Sequence, residues 1–227
     1  MLLLTVFLSL PLFANANNMQ NVIYVQVQSC KFSFTVPEGW DTIPHSEIAK
    51  KLGKDIAVLG LYPNGQEEYF RNEYVIMSFL PTVECLNNMP FEKIVENLEK
   101  MNGQKSNMSQ SDTIRIAYHG MSSSTNDNRF QIHTSMTIYK DSVKMNCLQN
   151  LLLTKFGYVS VAYYEKKQTC RKYSDVMQKI ILGVKIHDDY IYIEPQKESV
   201  FTPVKIAMSI GIGVLVYLIM VLFDKKK

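Results

Sequence analysis

The stretch Phe32-Ser33-Phe34-Thr35-Val36-Pro37-Glu38-Gly39-Trp40 decides how the rest of the chain is read. Phe32, Phe34 and Val36 alternate with small polar residues, the period of a strand with one buried face. Pro37-Glu38-Gly39 breaks that alternation with turn chemistry, since proline fixes one φ angle and glycine admits a positive one. The turn delivers Trp40, the only tryptophan, to the edge of a core. Immediately upstream, Val22 to Gln28 alternates in the same way and reads as a second strand.

Further along, Ser46 is placed to cap a short helix over Glu47 to Leu52, ended by Gly53. Ile56 to Tyr62 and Tyr74 to Leu80 are rich in branched and aromatic residues and flank Pro63-Asn64-Gly65, which fits a hairpin with a long loop. Pro90 opens a helix in which Phe91, Ile94, Val95, Leu98 and Met101 form one stripe, with Gly103 as its stop. Three or four strands follow, over Thr113 to Tyr118, Phe130 to Tyr139, Ser142 to Thr154 and Tyr158 to Glu165, wired by their turn signals as an antiparallel meander. A last helix over Cys170 to Leu182 aligns Tyr173, Val176, Met177, Ile180 and Ile181, and Gly183 ends it before a strand at Val184 to Ile186. The expected fold is α+β, an antiparallel β-sheet of about seven strands with helices packed on it as an α/β/α sandwich.

Both ends of the chain read as sorting segments. Leu2 to Ala14 is an apolar run reaching about 20 Å as a helix, short of the roughly 30 Å of bilayer hydrocarbon. Ala14-Asn15-Ala16 follows as a signal-peptidase pattern, with cleavage expected after Ala16. Ile206 to Phe223 is uncharged and reaches about 27 Å, enough to span with Lys205 snorkelling at its start. Lys225, Lys226 and Lys227 then favour the cytosolic side.

The expected organisation is a signal peptide at 1–16, an exported domain at 17–188, a stalk at 189–205, a transmembrane helix at 206–223 and a cytosolic tail at 224–227. The main domain is then extracytoplasmic or periplasmic, tethered by one pass to the cell membrane, which is the inner membrane if the cell is Gram-negative. Ala207 with Gly211, and Ser209 with Gly213, give the anchor a small-residue face on which two copies can pair as a homodimer.

Charge and motifs exclude several classes of function. The net charge of +3 is concentrated at the end of the chain; without Lys225–Lys227 and Asp224, 21 Lys and Arg stand against 20 Asp and Glu. That balance offers no concentrated basic face to nucleic acid. His45, His119, His133 and His187 share no metal-ligand spacing, and His187-Asp188-Asp189, the best local cluster, needs further oxygen ligands to hold a cation. No nucleophile elbow, SxxK, HExxH, P-loop or GxGxxG occurs, so no catalytic, cofactor or metal residue is assigned and no cofactor is expected. Glu92, Glu96 and Glu99 lie on the solvated side of their helix, and Asn107-Met108-Ser109 is a glycosylation acceptor pattern in an expected loop. Cys30, Cys85, Cys147 and Cys170 all lie in the exported part, which predicts two disulfides, with Cys147 to Cys170 favoured across a hairpin.

The Phe32 to Trp40 segment resembles the opening of PsbP-like and DcrB-like domains, where a strand runs into a Pro-x-Gly-Trp turn. The late helix followed by a short last strand is similar to the element order of that family. The resemblance implies an antiparallel sheet sandwiched by helices and a binding or accessory role outside the cytosol without an agreed catalytic site. On this reading Pro37, Gly39 and Trp40 determine the fold. The chain departs from the lipoprotein anchoring of DcrB-like proteins, because its first cysteine, Cys30, lies well beyond Ala16. The function expected is a noncatalytic, membrane-tethered domain that binds a protein partner or serves a membrane or envelope assembly. The alternatives are an exported hydrolase whose site is not a linear motif, and a sensor of a small ligand or metal.

Overall fold

The computed structural model describes residues 21–196 apart from 28, 53–57, 109, 112–113, 127–128, 141–142 and 167–169. The expected signal peptide and membrane helix, with Ala207, Ser209, Gly211 and Gly213, lie outside the described residues. Among those described, no helix is long and apolar enough to cross a membrane.

Among the described residues, eleven strands and three α-helices appear, more strands than the seven expected, and they form two sheets instead of one. In chain order the elements are β1 (Val22–Val27), β2 (Cys30–Thr35), β3 (Trp40–Ile43), α1 (His45–Leu52), β4 (Leu59–Pro63), β5 (Glu73–Pro81), α2 (Phe91–Met108), β6 (Gln110–Ser111), β7 (Ile114–Asn126), β8 (Arg129–Lys140), β9 (Val143–Thr154), β10 (Gly157–Glu165), α3 (Cys170–Gly183) and β11 (Val184–Ile186). The main sheet runs β3-β4-β5-β10-β9-β8-β7-β6 with every pairing antiparallel. The first two strands do not join it: β1, β2 and β11 form a separate antiparallel sheet.

Strand alternation gives the main sheet two buried faces. On one, Leu61, Val75, Met77, Leu152, Val159, Val161 and Tyr163 meet Phe32 and Phe34 of β2, Val25 and Val27 of β1, and Met177, Ile180 and Ile181 of α3. The neighbouring residues of the same strands point the other way, where Leu151, Leu153 and Ile132 pack under Phe91 and Ile94 of α2. Ile76 on that side packs with Ile43 and with Ile48 of α1. The layers are therefore helices, main sheet, and a mixed layer of α3 with the small sheet, which modifies the expected sandwich on one side.

Four local departures have physical causes. α2 runs on to Met108, past the expected stop at Gly103, because an interior glycine costs a helix only about 1 kcal/mol. Asn107 accordingly lies in a helix and not in a loop. Ser122 to Asn128 carries the composition of a turn, but its first five residues, Ser122 to Asn126, continue β7, because the ladder to β8 runs to the Asn126–Arg129 pair and shifts register at Tyr118/Gly120. Residues 189–194, expected as stalk, are packed: Tyr192 is 2% exposed and its hydroxyl donates to the Met89 carbonyl at 2.8 Å. In the same segment the Ile193 amide donates to Asn87 Oδ1, and Glu194 Oε1 accepts from the Phe91 amide at the start of α2.

Candidate functional site

The Pro37-Glu38-Gly39 turn has the form its sequence demands. Gly39 sits at φ 81°, the Trp40 amide donates to the Pro37 carbonyl at 3.2 Å, and the Gly39 carbonyl accepts from Asn64 at 2.8 Å. Trp40 begins β3, a strand at the edge of the main sheet, and its ring lies 6.2 Å from that of buried Tyr163. These contacts place Pro37, Gly39 and Trp40 at a turn and against the core.

The cysteines depart from the expected pairing: Cys30, Cys85 and Cys147 are free thiols. Cys30 lies in the core between the two sheets, whereas Cys147 points to the helix-covered face of the main sheet, beside Tyr164. The two lie in different packed sheets, about 10 Å apart, and Cys147 points away from Cys30, so they are beyond the roughly 7 Å Cα separation a disulfide tolerates. Cys170 opens α3, whose apolar residues pack on the face opposite Cys147. Burial pushes the Cys30 and Cys147 thiols up to about 12, which leaves them unreactive.

Two polar groupings join residues remote in sequence. His133 on β8 faces Asn150 on β9, with Nδ1 2.9 Å from Asn150 Nδ2 and Nε2 3.0 Å from Ser124 Oγ. Asn150 also donates to Gln131 Oε1 at 3.0 Å and is 1% exposed. Burial lowers the His133 pKa, so the ring is neutral and its Nδ1 accepts. Asn150 Oδ1 is left without a partner, and rotating the amides only changes which atom is left over. In the second grouping, β5 and β10 set Glu73 directly opposite Glu165, and the Tyr163 hydroxyl donates to Glu73 Oε1. Among the described residues no group of three His, Cys, Asp or Glu is placed to hold a metal. His45, His119 and His187 stand apart from one another, on α1, on β7 and after β11.

One concavity lies on the small sheet. A groove of about 360 Å³ follows its outer side, lined by Tyr24, Lys31, Ser33, Lys185 and His187 with neighbouring backbone. The register explains the grouping: Tyr24 pairs with Ser33, Ser33 with Lys185, and Gln26 with Lys31, so their side chains share the face turned away from the core. Tyr24 is 62% exposed. A second concavity of about 260 Å³ shares Lys185 and Ile186 and adds Arg129, Phe130, Leu152, Leu153 and Ile191. Arg129 is anchored there, donating from Nη1 to the Ile181 carbonyl at 3.1 Å and from Nη2 to the Val184 carbonyl. Two aliphatic amines and an exposed phenol on a concave sheet can hold an acidic segment. Tyr24, Lys31 and Lys185 escaped sequence reasoning; their only signal was their place at the polar or outward positions of alternating strands.

No protein-family model matches the chain, and no curated protein matches it. Among solved structures it is similar to the solution structure of cyanobacterial PsbP (CyanoP) from Synechocystis sp. PCC 6803, at 9% identity and a TM-score of 0.49. That match covers 77% of this chain and 98% of that one.

Proposed function

We propose that this chain is a membrane-tethered extracytoplasmic domain that acts as a noncatalytic binding or accessory protein for a membrane or envelope assembly. The observation that supports it is the outer face of the small sheet, open among the described residues, where Tyr24, Lys31, Lys185 and His187 line one groove. The exposed Tyr24 ring supplies contact area at little entropic cost, and Lys31 and Lys185 supply charge that favours an acidic partner. The tether is the uncharged run at 206–223.

The test places a photo-crosslinking side chain at Tyr24 in full-length protein in intact cells. A discrete adduct from Tyr24 that is absent from Val83, which is fully exposed on another part of the domain, supports a specific partner. Identical smears from both positions reject the reading. Carbonate extraction that releases the full-length chain, or added protease that leaves the domain untouched in spheroplasts, removes the tether and the topology respectively.

A second reading, an exported hydrolase, draws on Glu73 and Glu165, a carboxylate pair that no linear motif reveals. Its test is Glu165→Gln in a panel of glycoside and ester substrates. Activity in the wild type that this change abolishes, while the melting temperature holds, would favour it over binding.

A further inference from the structure

Edge strands expose a row of unpaired amides and carbonyls, and folded proteins blunt them with charge, proline, bulges or brevity. The edges of this protein are unequal. β3 is four residues with Asp41, β6 is two residues, and β11 is three residues centred on Lys185. Among the described residues β7 is open beyond its short pairing with β6, but it carries the register shift at Tyr118/Gly120 and the polar run Ser122 to Asn126. β1 has none of these devices. Val22-Ile23-Tyr24-Val25-Gln26-Val27 is six residues without charge, proline or register shift, and among the described residues it pairs with β2 alone.

The hydrogen-bond phase shows which groups β1 offers. The Val36 amide donates to the Asn21 carbonyl at 3.0 Å, which makes 21/36 a bonded pair. Bonded and non-bonded pairs alternate along an antiparallel ladder. Ile23, Val25 and Val27 therefore bond to β2, and the amides and carbonyls of Val22, Tyr24 and Gln26 point to the open side. The far side of β2 agrees: the Lys31 carbonyl accepts from the His187 amide at 2.9 Å, so the odd residues of β2 bond toward β11. The side chains of Val22, Tyr24 and Gln26 stand on the outer face, the face of the groove.

Resting on the binding reading above, we propose that β1 is a docking edge on which an extended segment of a partner protein adds as a further strand, with acidic side chains turned to the groove. Residues of the added strand opposite Val22, Tyr24 and Gln26 put their side chains on the outer face. The paired rows on that face hold Lys31 and Lys185 and no carboxylate. A glutamate beside Gln26 stands two strand spacings from Lys31, about 10 Å, a gap that the two long side chains close together. A basic segment would meet like charge there.

The experiment uses the full-length chain in detergent and, as probe, an acetylated alternating Val-Glu peptide, with the alternating Val-Lys peptide as its counterpart. Gln26→Pro removes an outward amide and breaks no bond to β2, so the melting temperature stays near wild type while peptide affinity falls about tenfold. Gln26→Thr keeps the amide and stays within about twofold of wild type. Lys31→Glu with Lys185→Glu reverses the preference between the two peptides. No binding of the Val-Glu peptide at millimolar concentration overturns the proposal, as does binding that Gln26→Pro leaves intact. Self-association that Gln26→Pro abolishes assigns the edge to a second copy of this chain and overturns the stated occupant. If the Tyr24 crosslink persists in Gln26→Pro cells, the binding reading stands and the edge does not; if it is absent from wild-type cells, the binding reading itself fails.

Discussion

Arg129 joins the main sheet to the layer of α3 and the small sheet, and its removal has a calculable cost. The guanidinium starts β8 in the main sheet and donates to the carbonyls of Ile181, in the last turn of α3, and Val184, in β11. Hydrogen bonds to a charged group contribute about 1.5–3 kcal/mol each, and the half-buried site lowers that toward the smaller figure. Arg129→Ala also leaves two carbonyls short of a donor at the negative end of a helix. We expect a loss of about 3 kcal/mol, which for a domain of this size lowers the melting temperature by about 6–12 °C. Arg129→Met, which keeps the apolar stem, should lose nearly as much, and Arg129→Lys about half. The assay is thermal unfolding followed by circular dichroism. Arg115→Ala is the control, because Arg115 is exposed over the Tyr139 ring at 5.5 Å and contributes only about 0.5 kcal/mol. A fall of less than about 1 °C for both Arg129→Ala and Arg129→Met would refute the reasoning.

Gly157 opens β10 at φ 149°, and a Cβ there would stand 2.2 Å from the Leu80 carbonyl oxygen. Gly157→Ala should therefore cost on the order of 3–5 kcal/mol in denaturant titration, whereas Gly65→Ala, at φ 83° in open space, costs about 1 kcal/mol. Because burial lowers the His133 pKa, protons bind the unfolded chain better; stability is full above about pH 6.5 and falls as the pH drops toward the folded value. Melting temperatures measured from pH 7.5 to 5 should show this slope in the wild type and a shallower one in His133→Gln. Native alkylation at pH 8 should modify Cys85 ahead of Cys30 and Cys147, all three reacting after unfolding without reductant; protection of Cys30 or Cys147 that persists in denaturant would restore the disulfide expectation.

Much of this architecture was legible where a single segment carries its own period. The stripe Phe91, Ile94, Val95, Leu98 marked α2, and the alternation of Phe32 and Phe34 marked β2. The choice of partner was not legible, because nothing in Phe32 or Phe34 says whether the strand beside it is β3 or β11. That decision belongs to residues about 150 positions away, which meet only when the core closes. Ser122 to Asn126 misled for the same reason: its composition is that of a turn, and the ladder to β8 overrides it. Glu73 opposite Glu165, His133 opposite Asn150 and the row Tyr24, Ser33, Lys185 are products of register, which a linear motif does not encode. The Pro37-Glu38-Gly39 turn was legible in full because its chemistry is local.

The small sheet is sewn from the two extremities of the domain: its first two strands leave the ribosome early, and its third emerges nearly last. Synthesis therefore reaches residue 186 before β2, already paired with β1, can find its second neighbour, and until then Phe32 and Phe34 have only half a shelter. Such late, distant closure slows folding relative to a meander of neighbours. A nascent chain halted before Val184 would have the means to assemble the meander and would still present an unfinished, greasy flank to whatever factor meets it first.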